Sequence, residues 1–263
     1  MLLKWVGGKN QYSNLVNEFP KCQDYYEPFL GGGSVLLRVV ESHLVSGKVY
    51  ASDINESLIS FWKWVQRDPE SLIREVESIG TVDETRYYEL REEFNSCTKE
   101  SLRCAALFVT LNKTCFRGVY REGPRGFNVP YGHYKNPKIL DPHEVRRVSQ
   151  LLKNVTFSVR SFETIEPTEN DFVYLDPPYY PVDEKSFTGY TYKSFNFETF
   201  LNFCKNLKCN WVMSNSDVQL LKDSFPGMYT RVLCRRSIHS KDPSSTAYEL
   251  LIKSLKATNS ISS

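Results

Sequence analysis

A carboxylate, two prolines and an aromatic ring stand in a row at Asp176-Pro177-Pro178-Tyr179, directly after the apolar run Phe172-Val173-Tyr174-Leu175. A short continuous apolar run closed by a turn signal reads as a buried strand. The four residues therefore sit at a strand's carboxyl end, where open α/β sheets bind their ligands. A planar base carrying an amino group could be gripped there. Asp176 and the Pro177 carbonyl would accept its amino hydrogens, Pro178 completes the kinked pair, and Tyr179 would stack on the ring. The candidate substrate is an exocyclic amine, with adenine N6 as the leading case. A Pro-Pro turn carrying a solvated aspartate accounts for the same four residues, so the elements around them have to decide.

Upstream, Tyr25-Tyr26 reads as a short strand, and Glu27-Pro28-Phe29-Leu30-Gly31-Gly32-Gly33-Ser34-Val35 as a glycine-rich turn entering a helix. Gly31 and Gly33 can take positive φ and allow a ligand close to the backbone. The spacing departs from the dinucleotide fingerprint, because Leu36 stands where a third glycine belongs. Residues 48–52 read as a second strand ending at Asp53. An acidic residue about 20 positions after such a turn is where a ribose diol is held, which suits an adenosine cofactor.

The elements that must position these groups follow from periodicity. Asn55 can cap a helix running through Trp62 and Gln66, and apolar spacing predicts further helices over 70–79, 83–94 and 102–111. Residues 113–138 are basic, aromatic and glycine-punctuated, and read as a hairpin or ordered loop. Lys113, Arg117, Arg121, Arg125, Lys135 and Lys138 outnumber Glu122 and the neighbouring Asp141. Asp141 caps the next helix, with Pro142 in its first turn and Glu144 in capping-box position. Strands resume at 155–159 and 172–175, Asn196 caps a helix through Leu207, 211–213 is another strand, and 228–234 with 247–252 forms a closing antiparallel pair. The expected class is α/β: a Rossmann-like sheet contributed by 1–57 and 149–256, an inserted helical and hairpin domain over 58–148, and a frayed tail over 257–263. Residues 180–194, charged and then aromatic, have the composition of a lid over the site or of a plain surface loop.

Composition bounds the rest. The chain has 263 residues, 41% hydrophobic and 14% aromatic, enough for a sizeable core. A net charge of +2 excludes a global polycation, so any nucleic-acid affinity must come from a local patch. Seven scattered cysteines show no disulfide framework and no metal spacing. Reduced thiols in an intracellular compartment that holds DNA, cytoplasm or nucleus, are expected. His43, His133, His143 and His239 form no ligand cluster, so no metal is expected. Residues 3–9 are too polar and glycine-rich to read as a signal peptide, and no membrane-spanning run is expected.

Taken in order, Leu3-Lys4-Trp5-Val6-Gly7-Gly8-Lys9, the glycine turn, Asp53-Ile54-Asn55, the segment from Leu111-Asn112-Lys113 to Tyr134, Asp176 to Tyr179 and Arg235-Arg236-Ser237-Ile238 resemble the Dam-type DNA adenine-N6 methyltransferases, over nearly the whole chain. The resemblance implies S-adenosylmethionine as methyl donor, S-adenosylhomocysteine as product and double-stranded DNA as substrate. It implies Trp5, Lys9, Glu27, Phe29, Gly31, Gly33, Asp53 and Asp176 at the cofactor, and Asp176, Pro177, Pro178 and Tyr179 at the reacting amine. It implies Lys4, Phe116, Arg117, Val119, Arg121, Asn128, Pro130 and Tyr134 at the DNA, a GATC-type palindrome read by base flipping, and a cognate restriction endonuclease as a candidate partner. Oligomeric state stays open. Two departures from the family pattern fall in the hairpin: Arg117 stands where many relatives carry Asn, and the turn from Arg121 to Phe127 is one residue short.

Adenine N6 is a poor nucleophile because its lone pair conjugates with the ring, so the site must supply alignment and electrostatics. A covalent route through a thiol is disfavoured, since no cysteine flanks the proline pair. Two other classes remain open: a methyltransferase for an RNA base or a protein glutamine amide, which uses a similar amine grip, and a non-catalytic DNA-binding protein.

Overall fold

The computed structural model describes residues 1–5, 15–182, 195–235 and 246–255. Seven strands form one sheet: β1 (Tyr25–Glu27), β2 (Val49–Asp53), β5 (Val155–Val159), β6 (Phe172–Leu175), β7 (Asn210–Ser216), β8 (Tyr229–Arg235) and β9 (Thr246–Ser254). Their spatial order is β5-β2-β1-β6-β7-β9-β8. The first five are parallel, and β9 then β8 close the edge antiparallel. From β1 the chain steps one way to β2 and β5 and the other way to β6 and β7. The crevice outside the carboxyl ends of β1 and β6 is thus the topological switch point, the usual ligand position in such sheets.

Side-chain alternation splits the core in two. On one face Tyr25, Ala51, Phe157, Phe172, Tyr174 and Val212 pack with Val35 and Leu36 of helix α1 (Ser34–Ser42) and with Leu58, Phe61 and Trp62 of α2 (Glu56–Arg67). On the other, Val173, Leu175, Trp211 and Met213 pack with Phe200 of α7 (Phe197–Asn206) and Leu221 of α8 (Gln219–Ser224). All four residues of β6 are buried, which is why a central parallel strand reads as an unbroken apolar run.

Between β2 and β5 lie α2, α3 (Pro69–Ile79), α4 (Glu84–Ser96), α5 (Leu102–Thr114), a hairpin of β3 (Glu122–Gly123) and β4 (Gly126–Phe127), and α6 (Pro142–Leu151). The expected caps are in place: Asn55 Oδ1 accepts from Leu58 N at 3.0 Å, Asp141 Oδ1 from His143 N at 3.1 Å, and Asn196 Oδ1 from Thr199 N at 3.0 Å. Such caps satisfy amides that the first helical turn leaves without partners. The first core runs unbroken from the sheet into α3, α4 and α5 through Leu72, Leu90 and Phe108.

Two features of the structure differ from the sequence reading. The expectation of reduced thiols throughout is corrected at Cys97 and Cys104, which are joined by a disulfide. The short turn between α4 and α5 brings their Cα atoms within 5.8 Å, a juxtaposition that spacing alone does not disclose. Cys22, Cys115 and Cys204 are free thiols, and these three and Cys209 are buried. Strand β7 also runs on past Met213 through Ser214, Asn215 and Ser216, all buried.

Candidate functional site

Asp176 emerges half-buried from the end of β6 and is held by its neighbours. Ser214 Oγ, 1% exposed on β7, donates to Asp176 Oδ1 at 2.8 Å, and the Tyr174 hydroxyl lies 3.2 Å from the same Oγ. Pro177 is buried, and Pro178 and Tyr179 are partly so. The Tyr179 hydroxyl donates to Glu249 Oε2 of β9 at 2.8 Å, which orients the ring. Burial, followed by the charges of Asp176 and Glu249, pushes that phenol well above its ordinary pKa, so it stays a donor. Beyond the tetrapeptide, Tyr180 N donates to Asn215 Oδ1 at 2.8 Å and fixes the exit of the chain.

Across the switch point, Gly31 and Gly33 adopt φ of 48° and 67°, values that favour glycine. A Cβ on Gly31 would stand 2.6 Å from Trp5 Nε1. The glycine thus admits the Trp5 indole against the turn, and the same indole stacks on Tyr120 at 6.1 Å. Asp53 closes the arrangement: Oδ2 accepts from Gly31 N and Oδ1 from Asn55 N, each at 3.1 Å. Burial raises the Asp53 pKa, and the amides of Asn55, Gly31 and Ile54 oppose that rise.

Glu27 and Phe29, which the resemblance assigns to the cofactor, also make contacts within the protein. Glu27 is 2% exposed and accepts from the Tyr25 hydroxyl at 2.7 Å. The nearby Leu36 amide of α1 favours the charged form of Glu27. Burial pushes its carboxyl up to about 8, and the charge of Asp176 adds to that push. The Phe29 ring packs among Phe162, Phe195 and Phe200 in the second core. Lys9, most of the 180–194 segment and the stretch from Arg236 to Ile238 lie outside the described residues.

The DNA-assigned residues gather along a ribbon. Thr114 O accepts from Gly132 N, Pro130 O from Phe116 N and Arg121 O from Asn128 N, so the pairing extends well beyond the two-residue strands β3 and β4. From α4, Asn95 bonds both the N–H and the carbonyl of Phe127, and Tyr87 donates to the Val129 carbonyl. Phe116, Arg117, Arg121, Asn128 and Pro130 are exposed, whereas Val119 and Tyr134 are partly buried. Arg121 Nε donates to Asn128 Oδ1 at 2.7 Å. Arg117 holds φ of 56° with its guanidinium 5.1 Å from the Phe116 ring centre. Lys4 joins this group: Asn112 clamps its backbone N–H and carbonyl, and its Nζ donates to the Lys113 carbonyl and sits 3.6 Å over the Tyr134 ring. Burial lowers the pKa of Lys4, and burial followed by the charge of Lys4 pushes Lys113 down to about 8.

Tyr174, Ser214, Asn215 and Glu249 are the site residues that sequence reasoning missed. Their signal was available in Ser214-Asn215-Ser216, a switch from apolar to polar residues at the carboxyl end of a strand neighbouring β6. Among the described residues, no group of three His, Cys, Asp or Glu could hold a metal, and no helix is long and apolar enough to cross a membrane.

A family model described as D12 class N6 adenine-specific DNA methyltransferase matches residues 5–242. The Type II methyltransferase M.MjaIII of Methanocaldococcus jannaschii is 37% identical, over 95% of this chain and 97% of its own length. DNA adenine methylases of Salmonella typhi and Escherichia coli K12 are 33% and 32% identical, each over 90% of this chain and 88% of its own length.

Proposed function

Because the chain belongs to the D12 class of N6 adenine-specific DNA methyltransferases, we propose that it moves a methyl group from S-adenosylmethionine to adenine N6 within a short palindromic duplex site, GATC, with the adenine flipped out of the stack. The observation that carries this reading is a carboxylate fixed by Ser214 at the end of β6, beside a glycine turn that is itself tied to Asp53.

The residues present fit an adenosine-bearing donor. Asp53 offers a carboxylate at the end of β2 for a diol, and Trp5 forms an aromatic wall packed against the glycine turn. When bound, S-adenosylmethionine supplies an electrophilic methyl on a good leaving group. The chain's own work is to aim the nucleophile. Asp176 and the Pro177 carbonyl accept the two amino hydrogens and draw N6 toward a tetrahedral shape, so that its lone pair leaves the ring plane. Tyr179, anchored through Glu249, stacks on the base. The surplus proton on N6 after transfer passes to Asp176 or to water.

Base flipping follows from the same geometry, since an amine paired inside a duplex cannot reach a carboxylate at a sheet edge. The ribbon is the reading element, within an inserted domain whose proposed bounds are 58–148. Arg121 is its base-reading arginine, Lys4 reads a flanking base, and Phe116 with Arg117 fills the vacated stack. The mutual repulsion of Lys4 and Lys113 favours a polyanion beside them. The test is methylation of random-sequence duplex DNA followed by mapping of N6-methyladenine, with rates on GATC duplexes and all single-base variants at one salt concentration. A different tetranucleotide rejects GATC and leaves the adenine chemistry standing. Methylation of RNA or of a glutamine amide in preference to duplex DNA rejects the substrate.

A further inference from the structure

We propose that Ser214 is the positioning residue for Asp176, and that Tyr174 acts through it, in one directional series of hydrogen bonds on the buried face of the sheet. The inference rests on the reading of Asp176 as the acceptor of an adenine amino hydrogen.

Strand register delivers the three groups. Parallel pairing sets Tyr174 opposite Val212 and Leu175 opposite Met213, so the next pair along is Asp176 and Ser214. With a period of two, Tyr174, Asp176 and Ser214 share a face. Each hydroxyl has one hydrogen to give. Ser214 gives its own to the Asp176 carboxylate at 2.8 Å, so the 3.2 Å contact with Tyr174 is donated by the phenol. The direction is Tyr174 to Ser214 to Asp176.

Two physical consequences follow. The terminal torsion of an aspartate is broad and roughly two-fold, so a bond to one named oxygen selects the plane in which the carboxylate meets its substrate. A donor to a carboxylate also favours its charged form. That matters here because a second carboxylate stands nearby on this face: Tyr179, which feels the charge of Asp176, also feels and donates to Glu249 of β9. Ser214 and Tyr174 are each 1% exposed, so water is not at hand to replace either donor.

The experiment is a double-mutant cycle in the full-length enzyme on duplex DNA: Ser214→Ala, Tyr174→Phe and the two combined, with Asp176→Ala alongside. Misplacement of a catalytic group by about 1 Å can cost about 100-fold, so Ser214→Ala is expected to lower kcat about 10- to 100-fold, with unchanged melting temperature and unchanged affinity for cofactor and DNA. Tyr174→Phe removes one oxygen and no carbon, is expected to cost less, and carries the test should Ser214→Ala fail to fold. Groups acting in series are not additive, so the double variant is expected to match Ser214→Ala. An unimpaired kcat in either single variant, losses that multiply in the double, or a loss that tracks weakened cofactor binding overturns the proposal. Asp176→Ala separates the two levels. If it is inactive while Ser214→Ala is unimpaired, only this inference falls; if it is active, the reading of Asp176 falls with it.

Discussion

At the carboxyl edge of the sheet, Asp176 is held by Ser214 from the neighbouring strand with Tyr174 behind it, and Tyr179 is held by Glu249 of β9. On the ribbon, Arg121 and Asn128 are exposed and pair with each other, on a hairpin that Asn95 and Tyr87 of α4 hold by its main chain. The first arrangement is stiff because several strands would have to shift to move it. The second can re-aim a long side chain without disturbing its support. A reacting amine is the same in every substrate and rewards a fixed partner, whereas bases are met in many sequences and rewarded contacts must form and break.

The comparison predicts that damage at the edge removes rate and damage on the ribbon removes discrimination. The largest effect belongs to Asp176→Ala. Loss of one preorganised electrostatic group costs about a hundred- to a thousand-fold, and single-turnover methylation should fall at least that far in a protein with native circular dichroism. Asp53→Asn comes next. Hydrogen bonds to charged groups are worth about 1.5–3 kcal/mol, so S-adenosylmethionine affinity by calorimetry is expected to weaken about tenfold or more while affinity for duplex DNA changes little. Equal losses for both ligands would show that Asp53 acts only through its bonds to Gly31 and Asn55.

The two regions also differed in how far the sequence disclosed them. The apolar run of β6, the caps Asn55, Asp141 and Asn196, and the glycines at positive φ are local consequences of residue type, and the structure carries each of them as expected. The supports of Asp176 and Tyr179 come from residues 38 and 70 positions away, and a pairing at that distance is a property of strand order, which local patterns do not encode. Glu27 shows the same from the other side: the family resemblance assigns it to the cofactor, and that resemblance does not disclose that its carboxyl is buried and accepts from Tyr25. The Cys97–Cys104 pairing was likewise hidden, since it depends on the angle at which α4 and α5 meet.

The third expected effect lies on the ribbon. A bidentate arginine contact is worth about 1–3 kcal/mol of discrimination, so Arg121→Ala should relax one base position symmetrically in both half-sites and leave the maximal rate on the best sequence nearly intact. Lys135→Ala, if Lys135 meets a phosphate, should weaken all sequences alike and flatten the salt dependence. A uniform loss of rate from Arg121→Ala would break the comparison, because it would make the ribbon part of the catalytic apparatus.

The smallest effect is a pH dependence of stability in which the two regions pull in opposite directions. Glu27 is pushed up to about 8 in the folded protein, so between the usual carboxylate range and about 8 the folded state holds a proton that the unfolded chain has released. Stability therefore falls as pH rises across that window and levels off above it. Lys113 is pushed down to about 8, so from there to the ordinary lysine range the unfolded chain holds the extra proton, and its contribution to stability rises with pH. Glu27→Gln keeps an oxygen to accept from Tyr25 and removes the first slope, while Lys113→Gln removes the second. Each is read as the difference between variant and wild type, which cancels groups titrating elsewhere. For a chain of this size about 1 kcal/mol moves the melting temperature by roughly 2–4 °C, so the curves should separate measurably. The Glu27→Gln variant gains on wild type up to about pH 8, and the Lys113→Gln variant loses ground only above it. Saturating duplex DNA should abolish the second divergence, since a phosphate beside Lys113 holds its proton, and should leave the first untouched. A DNA-sensitive Glu27 limb would mean that the edge and the ribbon are not separate electrostatic bodies.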